Sequence, residues 1–170
     1  MVELTAQQRL QPALLDRLID NEPEKKSELR ESRLITRSHL RAAVLRDLAW
    51  LFNTVRLGGE VELVGCDDVR RSVLNFGLPA WSGRTASSLD MMEIERSIRQ
   101  AILDFEPRIM PATLQVEALV SDMLLEQHNM VSMQIRGNLW AQPIALELLL
   151  RTDVDLETGV VQIRDLGKAG

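Results

Sequence analysis

The chain has 170 residues, 45% of them apolar, and carries a formal net charge of −5 with a pI near 5.1. This length suits one domain with a sizeable core, and the negative charge argues against binding to nucleic acid. The single cysteine, Cys66, excludes an internal disulfide and favours a reducing compartment. No signal-peptide pattern and no membrane-spanning apolar run is present, so the sequence predicts a cytoplasmic protein without direct membrane insertion.

Residues 1–37 are predicted to form an arm that precedes the body of the chain, residues 38–170. Residues 12–19 have the pattern of a short amphipathic helix, and its apolar stripe consists of Leu14, Leu15, Leu18 and Ile19. A helix this short is unstable alone in water, so it must dock on the body or on a partner. Residues 21–37 are rich in Glu, Lys, Arg and Ser, which is typical of a mobile linker or a solvated helix.

The body is predicted to begin with a helix over residues 38–55, with Ser38 as its N-cap. Its buried positions recur at helical spacing and are Val44, Leu48, Leu51, Phe52 and Val55. After two glycines, a second short helix would be capped by Asp67 and run to Leu74. The sequence Asn75-Phe76-Gly77-Leu78-Pro79 then predicts a helix stop followed by a fixed turn.

The best-specified helix starts at Asp90, which together with Glu93 matches the spacing of a capping box. Its apolar stripe consists of Ile94, Ile98, Ala101, Ile102 and Phe105. Pro107 cannot continue a helix and disfavours helical geometry in the residue before it. The helix is therefore predicted to end near Phe105.

Glu106 follows directly, at the negative end of the helix macrodipole. A carboxylate is disfavoured there by roughly 0.3–1 kcal/mol. We therefore expect a cation to pair with it, and the candidates are Arg108 in this chain and a group on a partner molecule. The alternative is a solvated Glu-Pro-Arg corner without such a pairing.

After Pro107 the spacing of apolar residues changes from about 3.6 to about 2. Four strands are predicted, over residues 114–120, 131–135, 144–150 and 161–164, with a turn at Thr158-Gly159 before the last. Helices followed by strands indicate an α+β domain, with two to four helices packed on a mostly antiparallel sheet of about four strands.

Residues that carry catalysis or bind metals are scarce. His39 and His128 are the only histidines, and neither lies at metal-ligand spacing from cysteines or acidic residues. Cys66 has no basic sequence context that would activate its thiol. Asp104 and Glu106 are two residues apart, whereas a glycosidase needs two carboxylates about 5–9.5 Å apart across a sugar. The sequence therefore predicts no catalytic residue, no metal site and no cofactor.

Four segments in a fixed order carry a family resemblance. They are the run Leu14-Leu15-Asp16-Arg17-Leu18, residues 40–54, residues 72–79 and the run Phe105-Glu106-Pro107-Arg108. With this order and spacing, over about residues 12–165, the chain resembles the TssE family of type VI secretion baseplate subunits. That family is related to the phage tail baseplate wedge proteins once labelled lysozymes.

The resemblance implies a structural subunit that joins baseplate wedge proteins to the first ring of a contractile sheath. The implied partners are the wedge proteins TssF, TssG and TssK and the sheath proteins TssB and TssC, on a membrane-docked baseplate in the cytoplasm. The alternatives are a peptidoglycan-cleaving lysozyme-like enzyme and a generic adaptor unrelated to secretion.

The resemblance also implies candidate partner-binding residues. Glu106, Pro107 and Arg108 match the family motif that docks on a helical bundle of neighbouring wedge subunits. The further candidates are Leu14, Leu15 and Leu18 in the arm and Asn75, Phe76 and Gly77 in the turn. The phage members' Gly-Glu-Arg segment before that turn has no clear match here, so which residues of 72–79 are functional stays open.

Three structural expectations follow. Glu106 and Arg108 should both be at least partly exposed in the isolated subunit. The arm should dock on the wedge partner, or fold back on its own body until that partner arrives. The sheet should leave at least one edge without an internal partner, for pairing with an extended arm of a sheath subunit.

Overall fold

Helices come first and strands second along the chain. The computed structural model describes residues 14–18, 24, 36–59, 63–83, 90–119, 130–141 and 145–167. The helices in these residues are α1 (Leu14–Leu18), α2 (Arg37–Phe52), α3 (Asp67–Arg70) and α4 (Met91–Phe105). The strands are β1 (Gln115–Ala118), β2 (Met130–Leu139), β3 (Leu146–Asp155) and β4 (Val161–Asp165). The predicted α+β class is confirmed.

The four strands form one antiparallel sheet in the order β1-β2-β3-β4. Each strand therefore pairs with its neighbour in sequence, as short connections favour. The central strands β2 and β3 have ten residues each and are longer than predicted. Their register pairs Met133 with Thr152 and Ile135 with Leu150 across the centre of the sheet.

Helices α2 and α4 cover one face of the sheet, as the sequence predicts, and the core lies between the two layers. Its fully buried side chains include Leu48 of α2, Ile98 and Ile102 of α4, and Met133 and Ile135 of β2. These residues recur at a spacing of three or four in the helices and two in the strands, which brings them to the same interface. Within the described residues, no helix is both long enough and apolar enough to cross a membrane.

The bounds of α2 differ from the prediction. Its N-cap is Thr36 rather than Ser38, and the Thr36 hydroxyl oxygen accepts a hydrogen bond from the backbone N–H of His39 at 3.2 Å. The helix ends at Phe52, so Val55 is exposed and not part of the core. Beyond the helix, the chain turns toward Leu78, with which Val55 forms an isolated parallel bridge.

The second short helix was also predicted too long, because α3 ends at Arg70 and not at Leu74. Cys66, rather than Asp67, occupies the N-cap position. The hydroxyl of Ser72 accepts a hydrogen bond from the backbone N–H of Leu74 at 3.3 Å, which starts a separate 3-10 turn over Val73–Asn75. Serine side chains compete with helical hydrogen bonds in this way.

Helix α4 follows its prediction closely. The Asp90 carboxylate accepts a hydrogen bond from the backbone N–H of Met92 at 2.9 Å and caps the helix. Four of its five predicted stripe residues are buried, and Phe105 is partly buried against the core. The helix ends at Phe105, and Glu106 is its C-cap, with its backbone N–H bonded to the carbonyl of Ile102 at 2.8 Å.

Candidate functional site

The Glu-Pro-Arg corner after α4 is closed by a bidentate ion pair. Arg108 Nε donates to Glu106 Oε1 at 2.6 Å, and Arg108 Nη2 donates to Glu106 Oε2 at 2.5 Å. The backbone N–H of Arg108 donates to Glu106 Oε1 as well, at 3.1 Å. A cation therefore pairs with the carboxylate at the helix end, as expected, and it is Arg108.

The exposure of this corner differs from the expectation. The side chain of Glu106 is only 3% exposed, and that of Arg108 is 21% exposed. The prediction that both side chains are at least partly exposed is wrong for Glu106, and the solvated corner is ruled out. The carboxylate can be buried because its charge and both oxygens are satisfied by the guanidinium. Pro107 lies exposed at the apex of the corner.

The end of β2 holds the corner in place. The backbone carbonyl of Arg108 accepts a hydrogen bond from Trp140 at 2.7 Å, and Met110 donates to the carbonyl of Asn138 at 2.8 Å. Between them, Ile109 is buried and forms a bridge with Leu139 at the end of β2. The corner is thus a rigid link between the end of α4 and the sheet.

Asp47 of α2 joins the pair from the other side. Arg108 Nη2 donates to Asp47 Oδ2 at 2.6 Å. Burial alone would lower the pKa of Arg108, but the hydrogen bonds and charges of Glu106 and Asp47 raise it above its ordinary value. Arg108 therefore stays protonated at any physiological pH. The sequence analysis missed Asp47, since it lies 61 residues before Arg108 and no local pattern connects them.

The ion pairs continue from Asp47 to the N-terminal arm. Arg46 Nε donates to Asp47 Oδ1 at 2.9 Å, and Arg46 Nη1 donates to Asp16 Oδ1 of α1 at 2.7 Å. These hydrogen bonds raise the pKa of Arg46, with the bond that it donates to Asp16 as the largest cause. We call the chain of Glu106, Arg108, Asp47, Arg46 and Asp16 the charge chain. It connects α1, α2 and the corner.

The arm helix contacts the body through its acidic side and leaves its apolar side open. Asp16 faces Arg46, whereas Leu14, Leu15 and Leu18 are exposed. Ile19 and most of the arm and linker lie outside the described residues. The apolar stripe therefore has no cover in the described part of the chain, so the partner-binding role predicted for these leucines stays a prediction.

The turn that contains Asn75, Phe76 and Gly77 has internal structural roles. The buried Asn75 side chain accepts a hydrogen bond from Gly58 at 2.8 Å and donates to the carbonyl of Arg70 at 2.9 Å. Gly77 has a φ of 123°, and a Cβ there would collide with the backbone carbonyl of Thr54. Partner binding by these three residues stays a prediction, while their structural role is evident.

The turn and the corner meet in one aromatic contact. The rings of Phe76 and Phe105 pack edge to face, with centroids 5.2 Å apart and an interplanar angle of 69°. This geometry is favourable for aromatic pairs. Phe105 is the last residue of α4 and precedes Glu106 directly. The two sequence motifs are therefore parts of one structural unit at the end of α4.

Each edge of the sheet is met by one helix side chain. The amide of Asn53, at the end of α2, accepts a hydrogen bond from the backbone N–H of Val161 at 2.9 Å and donates to the carbonyl of Val161 at 3.0 Å. At the other edge, Glu95 Oε1 accepts from the backbone N–H of Ala118 at 2.7 Å. No described strand pairs with the outer side of β1 or β4, but neither edge is wholly free.

The described residues contain no cluster of three or more histidine, cysteine, aspartate or glutamate side chains that could hold a metal ion. Cys66 is exposed. Asp104 Oδ1 accepts a hydrogen bond from Gln100 Nε2 at 2.9 Å and lies 3.6 Å from Arg71 Nε.

One family model matches the chain over residues 38–144, and its description is baseplate wedge protein gp25. The matched segment covers well over half of the chain and includes α2 apart from its first residue, the Asn75–Gly77 turn, α4, the corner, β1 and β2. No curated protein and no solved structure matches the chain.

Proposed function

The chain belongs to the baseplate wedge protein gp25 family, and from that premise we propose that it is a non-catalytic wedge subunit of a type VI secretion baseplate, of the TssE type. It would join the wedge proteins TssF, TssG and TssK to the first ring of the sheath proteins TssB and TssC. Its location would be the cytoplasm, on a membrane-docked baseplate. The finding that supports a docking role best is the corner itself, with Trp140 bonded to Arg108 and Trp50 packed under Arg46 of the charge chain.

The surface around the corner suits a protein partner. Trp140 is about half exposed, and its backbone N–H is bonded to the carbonyl of Arg108. Trp50 is also about half exposed, and the guanidinium of Arg46 lies 5.2 Å from the centre of its ring. Tryptophan and arginine are the residues that most often carry the binding energy of interfaces. We call Pro107, Arg108, Trp50 and Trp140 the corner surface, and it would receive the wedge partners.

The burial of Glu106 changes how the motif would work. A carboxylate that is 3% exposed in the subunit contacts a partner poorly, but it fixes the guanidinium of Arg108 and the path of the backbone. Docking on a preformed surface loses less side-chain and backbone entropy than docking on a mobile one. In this proposal Glu106 therefore shapes the corner surface, while Pro107 and Arg108 form part of it.

Sheath attachment would use the outer side of β4. The carbonyl of Val160 accepts a hydrogen bond from Asp155 of β3, and the backbone N–H of Leu166 donates to Leu149 of β3. The alternate residues Val161, Ile163 and Asp165 therefore direct their backbone groups away from β3. Asn53 occupies those of Val161. An extended sheath arm would pair with the remaining positions and displace the Asn53 amide, which already bonds as a strand residue would.

The lysozyme-like alternative has little chemical support in the site. A general acid must present its proton to the leaving group. Glu106 is buried, and Arg108 occupies both of its oxygens. The proposal therefore assigns no reaction to this carboxylate.

Co-purification tests the proposal. The tagged chain, expressed with TssF, TssG and TssK, should capture a wedge complex, and Trp140→Ala should weaken that capture because it truncates the corner surface. Met92→Ala is the matched control, since Met92 is an exposed apolar residue on the solvent side of α4. Capture that is lost equally in both variants, or in neither, would contradict the corner surface. Failure of the unaltered chain to capture any wedge protein would contradict the proposed function.

A further inference from the structure

A cavity of about 470 Å³ lies beside the C-terminal half of α4, on the turn that carries Asn75 and Gly77. The described residues of its walls include three arginines, Arg56, Arg70 and Arg71, and two acids, Asp67 and Asp104, so these described residues carry a formal charge of +1. The volume falls within the range of roughly 300–1,000 Å³ that is usual for ligand sites. A positive lining is notable in a chain whose net charge is −5. We call it the arginine cavity.

Two of its arginines are held only loosely. Arg70 Nη1 lies 3.5 Å from Asp67 Oδ1, and its Nη2 donates one exposed hydrogen bond to the carbonyl of Leu63 at 3.2 Å. Arg71 Nε lies 3.6 Å from Asp104 Oδ1. The side chains of Arg70 and Arg71 are 55% and 73% exposed. Exposed pairs of this length contribute little to stability. Both guanidiniums can therefore turn to a better acceptor at small cost, unlike Arg108, whose ion pairs measure 2.5–2.6 Å.

The third arginine carries an unused donor. Arg56 Nε is buried and has no hydrogen-bond acceptor in the described part of the chain. The position of Arg56 is fixed, because its backbone N–H donates to the carbonyl of Leu78 at 2.9 Å. A buried donor without an acceptor is unfavourable by about 1–3 kcal/mol. An acceptor in the cavity would offset that cost once a turn of the Arg56 side chain brings the buried Nε to the cavity surface.

The scaffold around these arginines is already in place. Asn75 links the carbonyl of Arg70 to the backbone of Gly58, and Gly77 permits the tight contact with Thr54 that precedes Arg56. The ring of Phe105 lines the cavity and packs on Phe76. The arginines thus converge on a preformed space and need no rearrangement of the backbone.

We propose that the arginine cavity binds the carboxylate side chains of a short acidic segment of a protein partner. A carboxylate matches the planar fork of a guanidinium with two parallel hydrogen bonds. Val73 and Leu74, in the same turn as Asn75, are exposed apolar residues, which suits a peptide with apolar side chains beside its acids. The net negative charge of the chain disfavours long polyanions such as nucleic acid. The cavity shares Asn75, Gly77 and Phe105 with the family-like segments. It goes beyond the wedge role because its three arginines lie outside those segments and outside the corner surface.

The test is an NMR titration of the isolated, isotope-labelled chain with a capped peptide that contains the sequence Leu-Glu-Asp-Leu. Saturable shifts are expected in the amide signals of Gly77, Gln100 and Ala101, which line the cavity. A peptide with Leu-Gln-Asn-Leu in its place should not bind. The double variant Arg70→Gln with Arg71→Gln should bind at least about tenfold more weakly, since it removes two charge-assisted contacts. Arg96→Gln, an exposed arginine of α4 outside the cavity, changes the charge without touching the site and should bind within about twofold of the unaltered chain.

Equal binding of the amide peptide, or unchanged binding by the double variant, would overturn the proposal. A stronger response to inorganic phosphate than to the acidic peptide would overturn the assignment to a peptide carboxylate. If the double variant has a lower melting temperature, the single variant Arg71→Gln replaces it, because Arg71 is the more exposed. The titration uses the isolated chain, so its failure would not contradict the proposed wedge role. A failed co-purification would in turn not contradict peptide binding by the arginine cavity.

Discussion

Replacement of Arg108 by methionine should destabilise the fold strongly. The variant removes the two side-chain donors that bond Glu106, at 2.5 and 2.6 Å, and leaves it only the backbone N–H of Arg108 at 3.1 Å. Asp47 also loses Arg108, but it is 25% exposed and keeps Arg46. The cost therefore falls mainly on Glu106, which is 3% exposed. Breaking a buried ion pair by removing one partner costs about 3–5 kcal/mol.

We expect the lower end of that range, about 3 kcal/mol, because one hydrogen bond to Glu106 remains. For a chain of this size each kcal/mol lowers the melting temperature by about 2–4 °C, so the expected shift is about 6–12 °C. Urea unfolding followed by circular dichroism gives the free energy directly. The double variant Glu106→Leu with Arg108→Met removes both charges and should recover most of the loss, since no uncompensated charge stays buried.

Two results would refute this reasoning. A loss below about 1 kcal/mol in Arg108→Met would mean that Glu106 is solvated in solution and that the ion pair behaves as a surface pair. A double variant no more stable than the single variant would mean that lost packing, rather than an unpaired charge, is the cause. Arg96→Met serves as a control for the removal of an exposed arginine outside the charge chain and should change the free energy of unfolding by less than about 0.5 kcal/mol.

Three further predictions concern other parts of the fold. Thr152 is 0% exposed, and its hydroxyl has no hydrogen-bond partner in the described residues. Thr152→Val should therefore raise the free energy of unfolding by about 1 kcal/mol, and the urea midpoint with it. Thr113→Val should lower both, because the hydroxyl of Thr113 makes two hydrogen bonds. Asn53→Ala frees the first outward backbone groups of β4 and should cost about 1 kcal/mol and speed aggregation, measured by light scattering. The hydrogen bonds from Arg41 lower the pKa of Asp165, so this pair adds stability above the unfolded pKa of about 3.9 and loses it as pH falls through the lower folded value. The stability difference between the unaltered chain and Arg41→Gln should therefore shrink below about pH 4, and equal differences at pH 3 and pH 7 would contradict it.

The sequence predicted the elements whose signals are local. The cap at Asp90, the apolar stripe of α4 and the stop imposed by Pro107 all lie within a few residues of the structure they determine. The pairing of Glu106 with Arg108 could be expected for the same reason. The part that Asp47 plays in the charge chain could not be predicted, because Asp47 contacts Arg108 only once α2 and α4 have packed on the sheet.

The burial of two polar residues in the sheet is a second feature that the sequence does not show. Alternation places Ser132 on the face of the sheet away from the helices, where solvent is expected, yet Ser132 and Asp153 are both buried. Burial alone would raise the pKa of Asp153, but hydrogen bonds from Ser132 and Arg151 and the charge of Arg151 lower it below its ordinary value. A paired cluster of this kind can be buried at little cost. An alternating sequence pattern cannot predict this burial, since the contact between Ser132 and Asp153 depends on the register between β2 and β3.

The end of α4 determines the geometry of both proposed binding surfaces. On one side, Phe105 continues into Glu106 and the corner surface, and on the other its ring lines the arginine cavity. Phe76 packs on that ring and belongs to the turn that holds the arginines in place. A shift of the Phe76–Phe105 pair would therefore disturb both surfaces together, although no charged residue is shared between them. Phe76→Leu should weaken acidic-peptide binding and wedge capture in parallel, whereas Arg71→Gln should weaken only the first. Equal effects of the two substitutions on wedge capture would show that the surfaces are not separate.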